Sequence, residues 1–170
     1  MHLTAFLLNP PIGKSATSTV TYAGVVGAQR ALGASGLHLT NLLAVPTRDL
    51  TEIATVAAAE ETWVAAREQL EQAVDRADCV LLGWGLGGVG GRAGLHFRNQ
   101  QAWVLGRLLD AGHRSAWTVG GSPRHPSRWR QYTGTQRGIA VGESFEHRLA
   151  SVLVAVSIEH LLDRAPSRPG

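Results

Sequence analysis

The hydrophobic positions of this chain fall into short continuous runs that alternate with longer stretches of helical character. The apolar runs lie at residues 3–8, 37–44, 78–84 and 115–120. Runs of this length, bounded by Gly, Pro or Asn and continuous rather than alternating, are typical of strands covered on both faces. The pattern therefore predicts four strands in a buried, mainly parallel sheet.

The stretches between and after these runs have the composition and spacing of helices. They lie at residues 19–32, 51–77, 98–112 and 144–164. The second stretch is rich in Ala, Glu, Gln and Arg, which favour helices, and its second half has apolar residues at helical intervals. Strands and helices that alternate in this way predict an α/β protein, a three-layer α/β/α fold around a four-stranded, mainly parallel central sheet.

The length and composition are those of one domain. The chain has 170 residues, of which 44% are hydrophobic, so it can bury a core of ordinary size. No repeat or linker divides it. We expect a single domain over residues 1–164 and a flexible tail over residues 165–170, which read APSRPG.

Several classes of protein are disfavoured. The apolar run at the N-terminus is too short for a signal peptide, and no stretch approaches the roughly 20 apolar residues of a membrane span. Cys79 is the only cysteine, which excludes an internal disulfide and a cysteine-based metal site. The expectation is a cytoplasmic protein without a metal, a cofactor or a membrane partner.

The segments that follow the predicted strands are the least ordinary in the chain. They read NPPIGKS (9–15), NLLAVPTRD (41–49), GWGLGGVGGR (83–92) and GSPRHPSRWR (121–130). In sheets of this kind ligands bind at the carboxyl ends of the strands. The glycines of the third segment do not open a helix directly, since the next helix is predicted only from about residue 98, so a dinucleotide-binding fingerprint is disfavoured.

The fourth segment combines a histidine with arginines and a tryptophan. His125 lies between two prolines, which hold the backbone rigid, and three arginines and Trp129 lie within six residues of it. Arginine binds phosphate through two parallel hydrogen bonds, and aromatic rings stack on bases. The net charge is only +3. A high-GC genome explains the frequent use of arginine in this chain as well as phosphate binding does.

Three of these polar side chains have simpler interpretations. His125 could cap a loop carbonyl, and Asn9 could form an Asx turn. Asn41 ends a run of apolar neighbours, so its amide is either a structural hydrogen-bonding group or one that contacts a ligand. The residues alone leave these alternatives open.

Four short motifs in order carry a resemblance to a known family. They are LLNP (7–10), LTNLLAV (39–45), LLGWG (81–85) and GSPRHPS (121–127). Each follows or ends a predicted strand. The set resembles the uracil-DNA glycosylase superfamily, and more closely a bacterial family designated domain of unknown function 1643. The resemblance spans residue 3 to about residue 130.

The resemblance implies roles in base recognition. Asn9, with Pro10, would position the attacking water. Pro11 stands where uracil-specific members have a tyrosine that excludes the thymine methyl group, so that filter is altered and the resemblance does not fix the preferred base. The base would stack on Tyr22, and its edge would contact Asn41. The third motif adds Trp84 to the base-binding residues.

The resemblance also implies roles in catalysis and DNA binding. His125 would stabilise negative charge on the departing base. Trp129, two residues beyond Ser127, would be inserted into the duplex as an apolar wedge. The residues expected to contact DNA are Arg124, Ser127, Arg128, Trp129 and Arg130.

The predicted activity is that of a DNA glycosylase. The protein would flip out uracil or a modified pyrimidine, from duplex or single-stranded DNA, and hydrolyse its N-glycosidic bond. An amide at position 9 is not a general base, so slow turnover is expected. No obligate protein partner is expected. Two alternatives remain: a non-catalytic module that binds DNA or a modified base, and a nucleoside or nucleotide N-glycosidase that acts on small molecules.

Overall fold

The computed structural model describes residues 1–12, 19–134 and 142–164. Its strands are His2–Leu7 (β1), Gly36–Asn41 (β2), Cys79–Leu82 (β3), Ser115–Val119 (β4) and Leu153–Ser157 (β5). Its helices are Val20–Ala31 (α1), Leu50–Val56 (α2), Glu60–Val64 (α3), Arg67–Asp75 (α4), Gly91–Asp110 (α5), Phe145–Ala150 (α6) and Ile158–Asp163 (α7), with a 3₁₀ helix at Pro126–Gln131. The predicted tail, residues 165–170, lies outside the described residues.

The sheet is mixed but mostly parallel, with the strand order β2-β1-β3-β4-β5. The first four strands run parallel, and β5 pairs with β4 in the antiparallel direction. Helices pack on both faces of the sheet. The predicted α/β class and the three-layer arrangement are therefore confirmed.

The predicted number of strands is wrong, because the described residues contain five rather than four. The stretch predicted as one helix over residues 144–164 contains α6, β5 and α7. Its centre, LVAVS, alternates two β-branched valines with small residues, and it forms an edge strand that is largely exposed. Ser157 then caps α7 by accepting a hydrogen bond from the backbone N–H of His160.

Two predicted helix boundaries also differ. The stretch 51–77 forms three short helices, α2, α3 and α4, and the indole Nε1 of Trp63 donates to the carbonyl of Ala57 at 2.9 Å across the first break. Helix α5 begins at Gly91, seven residues before the expected start. Gly91 has φ +58°, a conformation that glycine adopts without steric cost.

The two faces of the sheet bury separate apolar clusters. Along β1, Leu3, Ala5 and Leu7 belong to the cluster beneath α1, α6 and the 3₁₀ helix. Phe6 belongs to the cluster beneath helices α2 to α5 and α7. Because successive side chains of a strand point to opposite faces, the continuous apolar run of β1 supplies both clusters.

The chain connections form a crevice at the carboxyl ends of the parallel strands. From β1 the chain crosses to β2 on one side, whereas β3 and β4 lie on the other side, so the strand order reverses between β1 and β3. The carboxyl ends of the strands beside such a reversal form the usual ligand crevice of α/β proteins. The loops after β1, β2, β3 and β4 all emerge at this end of the strands.

The helices of the described residues are each too short or too polar to span a lipid bilayer.

Candidate functional site

Two adjoining clefts lie at the carboxyl edge of the parallel strands. Their volumes are about 590 and 530 Å³, which is within the range of small-molecule sites. We call them the first and second cleft. Asn9, Arg48 and His125 line both, so the two clefts meet at these side chains.

The structure brings together most of the residues that the sequence singled out. Those lining the first cleft are Asn9, Trp84, Arg124, His125, Ser127 and Arg128. Those lining the second cleft are Asn9, Pro10, Pro11, Tyr22, Asn41 and His125. Trp129 and Arg130 line neither cleft. Residues from four separate loops therefore converge as the strand-end argument predicts.

His125 is held in a defined orientation at the start of the 3₁₀ helix. Its ring Nδ1 accepts the backbone N–H of Ser127 at 3.3 Å and lies 2.9 Å from the Ser127 hydroxyl oxygen. A backbone N–H can only donate, so Nδ1 carries no proton and the neutral ring carries its proton on Nε2. Pro126 at the first position of the 3₁₀ helix fixes the turn. The ring therefore offers an Nε2–H donor, held by its own loop.

The surroundings of His125 keep its ring uncharged. Burial lowers the pKa of His125 because the charged form loses hydration, and the neighbouring Arg128 guanidinium lowers the pKa further. The ring is therefore neutral at neutral pH. It can donate a hydrogen bond to a developing anion without carrying a positive charge itself.

Replacing Arg128 is expected to raise the pKa of His125. In Arg128→Ala the pKa moves up toward the ordinary histidine value, because a like charge is removed while burial persists. Titration of the His125 ring protons by NMR measures the shift. Arg130→Ala, which removes an exposed arginine of the same helix, is the matched control. An unchanged His125 pKa in Arg128→Ala would contradict the electrostatic argument.

Asn9 is fixed by hydrogen bonds that use only one end of its amide. Its Nδ2 donates to the carbonyl oxygen of Thr47 at 3.1 Å and to that of Pro10 at 3.2 Å. Within the described part of the chain, its Oδ1 makes no hydrogen bond. The oxygen is therefore the end of the amide that can accept a hydrogen bond from a water molecule or a ligand in the clefts.

Two polar groups of the second cleft are buried without a partner. Asn41 ends β2 opposite Leu7 of β1, and its Oδ1 has no hydrogen-bond donor among the described residues. The hydroxyl of Thr47 is likewise unpaired within residues 1–12, 19–134 and 142–164, and the side chain is 4% exposed. Buried polar atoms normally have partners. Both groups are therefore suited to contact a bound ligand.

The predicted insertion of Trp129 into a DNA duplex is wrong. The side chain is 0% exposed and belongs to the apolar cluster beneath α1. Its indole Nε1 donates to the carbonyl of Arg124 at 2.7 Å. Trp129 therefore anchors the His125 loop from below. A side chain that closes the core cannot leave it to fill a gap between bases without unfolding this region.

The remaining predicted residues differ in their exposure. Trp84 is 2% exposed and packs in the core, so only its margin reaches the first cleft. The guanidinium of Arg124 stacks 4.4 Å from the ring centre of Tyr132 and lines the first cleft. Arg130 is exposed outside both clefts, and a role in phosphate binding stays a prediction.

Sequence reasoning missed the three residues that follow Pro46. Thr47, Arg48 and Asp49 each line one or both clefts. The resemblance ends its second motif at residue 45 and gave no reason to select them. The available signal was their position in the segment after the second strand. Among the described residues, no three His, Cys, Asp or Glu side chains cluster as metal ligands.

The fold and site define a doubly wound α/β protein whose ligand crevice lies at the strand-order reversal. A family model described as "Protein of unknown function (DUF1643)" matches residues 1–127, from the first strand to Ser127. The chain therefore belongs to this family, as the motifs predicted. No curated protein and no solved structure matches the chain. The wider link to uracil-DNA glycosylases stays a prediction.

Proposed function

We propose that this protein binds a flipped-out pyrimidine nucleotide of DNA in the joined clefts and hydrolyses its N-glycosidic bond. The observation that supports the proposal is the convergence of Asn9, Asn41 and His125, from three separate segments of the chain, on two clefts that meet. Cleavage of this bond needs a group that binds the base, a donor to the departing base and a group that holds water. These three side chains can supply those functions.

The second cleft is suited to the base. Its walls include Pro10, Pro11 and the ring of Tyr22, which offer apolar surface for a flat heterocycle. The unpaired Oδ1 of Asn41 can accept a hydrogen bond from an N–H group at the edge of a pyrimidine. A proline at position 11 does not repeat the tyrosine of uracil-specific enzymes, so the substrate includes pyrimidines with a substituent on the ring.

The chemistry assigns different tasks to His125 and Asn9. As the glycosidic bond breaks, negative charge develops on the base, and the Nε2–H of His125 stabilises it by a hydrogen bond. The Asn9 Oδ1 accepts a hydrogen bond from the attacking water and orients it toward the sugar. An amide can orient water but cannot take its proton.

The arginines at the clefts are suited to phosphate. Arg48, Arg124 and Arg128 line the first cleft, and its only described carboxylate is that of Asp49. This excess of positive charge favours an anionic ligand, and arginine binds phosphate oxygens in pairs of hydrogen bonds. Contacts to several phosphates of a strand predict binding that weakens steeply as salt rises.

The burial of Trp129 favours a substrate whose base is already unstacked. Without a tryptophan wedge, the cost of extruding a base from a duplex, a few kcal/mol, is not offset by that side chain. Single-stranded DNA avoids most of this cost. A free nucleotide avoids it entirely, and hydrolysis of a small nucleotide is the second candidate.

A panel of oligonucleotides and nucleotides tests the proposal. Single-stranded and duplex oligonucleotides each carry one uracil, thymine, cytosine or ring-modified pyrimidine. Abasic sites are detected by alkaline cleavage, and base release from pyrimidine mononucleotides is followed by chromatography. We expect abasic sites in at least one single-stranded substrate, with binding that weakens as salt rises. Base release from mononucleotides alone would favour the second candidate, and no release from any substrate would refute the proposed hydrolysis.

A further inference from the structure

We infer that the carboxylate of Asp49 activates the water that Asn9 holds. The inference rests on the proposed function, because it concerns the same site and reaction. The motif that ends β1 places an amide where a carboxylate would serve as a base, so the reaction lacks a proton acceptor at that position. A general base typically contributes about 10²–10⁴-fold to a rate. The loop after β2 supplies a carboxylate at the same cleft.

Asp49 shares the first cleft with the two groups that the proposed reaction uses. It lines the first cleft together with Asn9 and His125. No other aspartate or glutamate is among the described residues that line either cleft. Within the described ranges the Asp49 carboxylate also makes no ion pair. It is the side chain present that can take a proton from water.

The Asp49 side chain is held by one oxygen only. Its Oδ1 accepts the backbone N–H of Glu52 at 2.9 Å, which caps α2. The Glu52 carboxylate in turn accepts the backbone N–H of Arg48 at 2.7 Å. This reciprocal pair fixes the backbone of the loop and the carboxylate plane. The second oxygen, Oδ2, has no hydrogen-bond partner in the described chain.

The same loop is tied directly to Asn9. The carbonyl of Thr47, two residues before Asp49, accepts the Nδ2–H of Asn9 at 3.1 Å. The amide that orients the water is therefore hydrogen-bonded to the loop that carries the carboxylate.

The proposed step balances as a hydrolysis. A water proton passes to the Asp49 carboxylate while the water oxygen bonds to the anomeric carbon of the sugar. The bond from that carbon to the base nitrogen breaks, and its electron pair leaves with the base, whose charge is stabilised by the His125 N–H. The base then takes a proton from solvent, and Asp49 returns its proton to solvent.

The substitution Asp49→Asn separates a catalytic role from a structural one. Asparagine caps helices about as well as aspartate, so α2 keeps its N-cap, while the side chain can no longer accept a proton. We expect kcat on the best substrate of the panel to fall about 10²-fold or more, with KM and the thermal unfolding temperature nearly unchanged. Glu60→Gln is the matched control, because it removes an exposed carboxylate of α3 that lines neither cleft. It is expected to retain wild-type activity.

A second variant completes the test. Asp49→Glu keeps a carboxylate at this position and is expected to retain a kcat at least about tenfold above that of Asp49→Asn. If Asp49→Asn folds stably and matches an active wild type, the assignment of Asp49 is overturned while the proposed function stands. If the wild type is inactive on every substrate, the proposed function fails first and this assignment fails with it. Should Asp49→Asn unfold, Asp49→Ser, another N-cap residue, decides in the same way.

Discussion

His125→Ala is expected to lower the rate of base release by about 10²–10³-fold on any substrate that the wild type cleaves. Removing one hydrogen-bond donor to a developing anion typically has this effect. A fixed donor in a site that excludes water stabilises the negative charge more than a water molecule at the same position would. The ring is oriented by Ser127 and kept neutral by burial and by Arg128, so alanine removes a prepared donor. Single-turnover kinetics with the best oligonucleotide of the panel measures the chemical step.

Two comparisons isolate the His125 donor from general damage. His38→Ala removes an exposed histidine of β2 that lines neither cleft, and it should leave the rate unchanged. Ser127→Ala keeps the imidazole and the backbone hydrogen bond but removes the hydroxyl beside Nδ1, and it should cost less than His125→Ala. Full activity in a folded His125→Ala protein would remove this residue from the mechanism.

Trp129→Ala is expected to lower the free energy of unfolding by about 3–5 kcal/mol. Truncating a fully buried tryptophan loses apolar burial and leaves a cavity. The indole also donates to the Arg124 carbonyl, and its ring packs beside Gly24 of α1, where an added Cβ would lie 3.4 Å from the ring. Urea denaturation followed by circular dichroism measures the change.

The choice of control distinguishes burial from DNA insertion. Trp103 of α5 is only half-buried, so Trp103→Ala should cost clearly less than Trp129→Ala. Trp129→Phe keeps most of the ring and loses the hydrogen bond, which predicts an intermediate loss. A stable Trp129→Ala protein that lost activity only on duplex DNA would instead support insertion of this side chain.

Much of the fold follows from local pattern. Continuous apolar runs bounded by Gly, Pro and Asn identified all four parallel strands, because strands buried on both faces have no polar side. The region of residues 144–164 was the exception. Its apolar residues fit a helical spacing, whereas the β-branched valines of β5 pair with β4 in the structure. Pairing with a strand distant in the sequence therefore determined the secondary structure of that stretch.

The candidate site was predictable to the extent that it depends on strand ends. The carboxyl ends of parallel strands lie at the same side of a sheet, so the strand pattern alone predicts that Asn9, Asn41 and His125 lie close together. The contribution of Thr47, Arg48 and Asp49 was not, because it depends on how the loop after β2 folds back to receive the Asn9 amide. No spacing rule encodes that hydrogen bond.

The sequence by itself determined the α/β class, the positions of the four parallel strands along the chain and the edge at which the polar residues meet. Only the tertiary structure decided that Trp129 lies in the core while His125, four residues earlier, faces the clefts. Local sequence does not determine whether a loop side chain faces the core or the solvent. The 3₁₀ helix packs against α1 through residues about a hundred positions apart in the chain. This packing determines which of the two side chains is buried and loses its hydration.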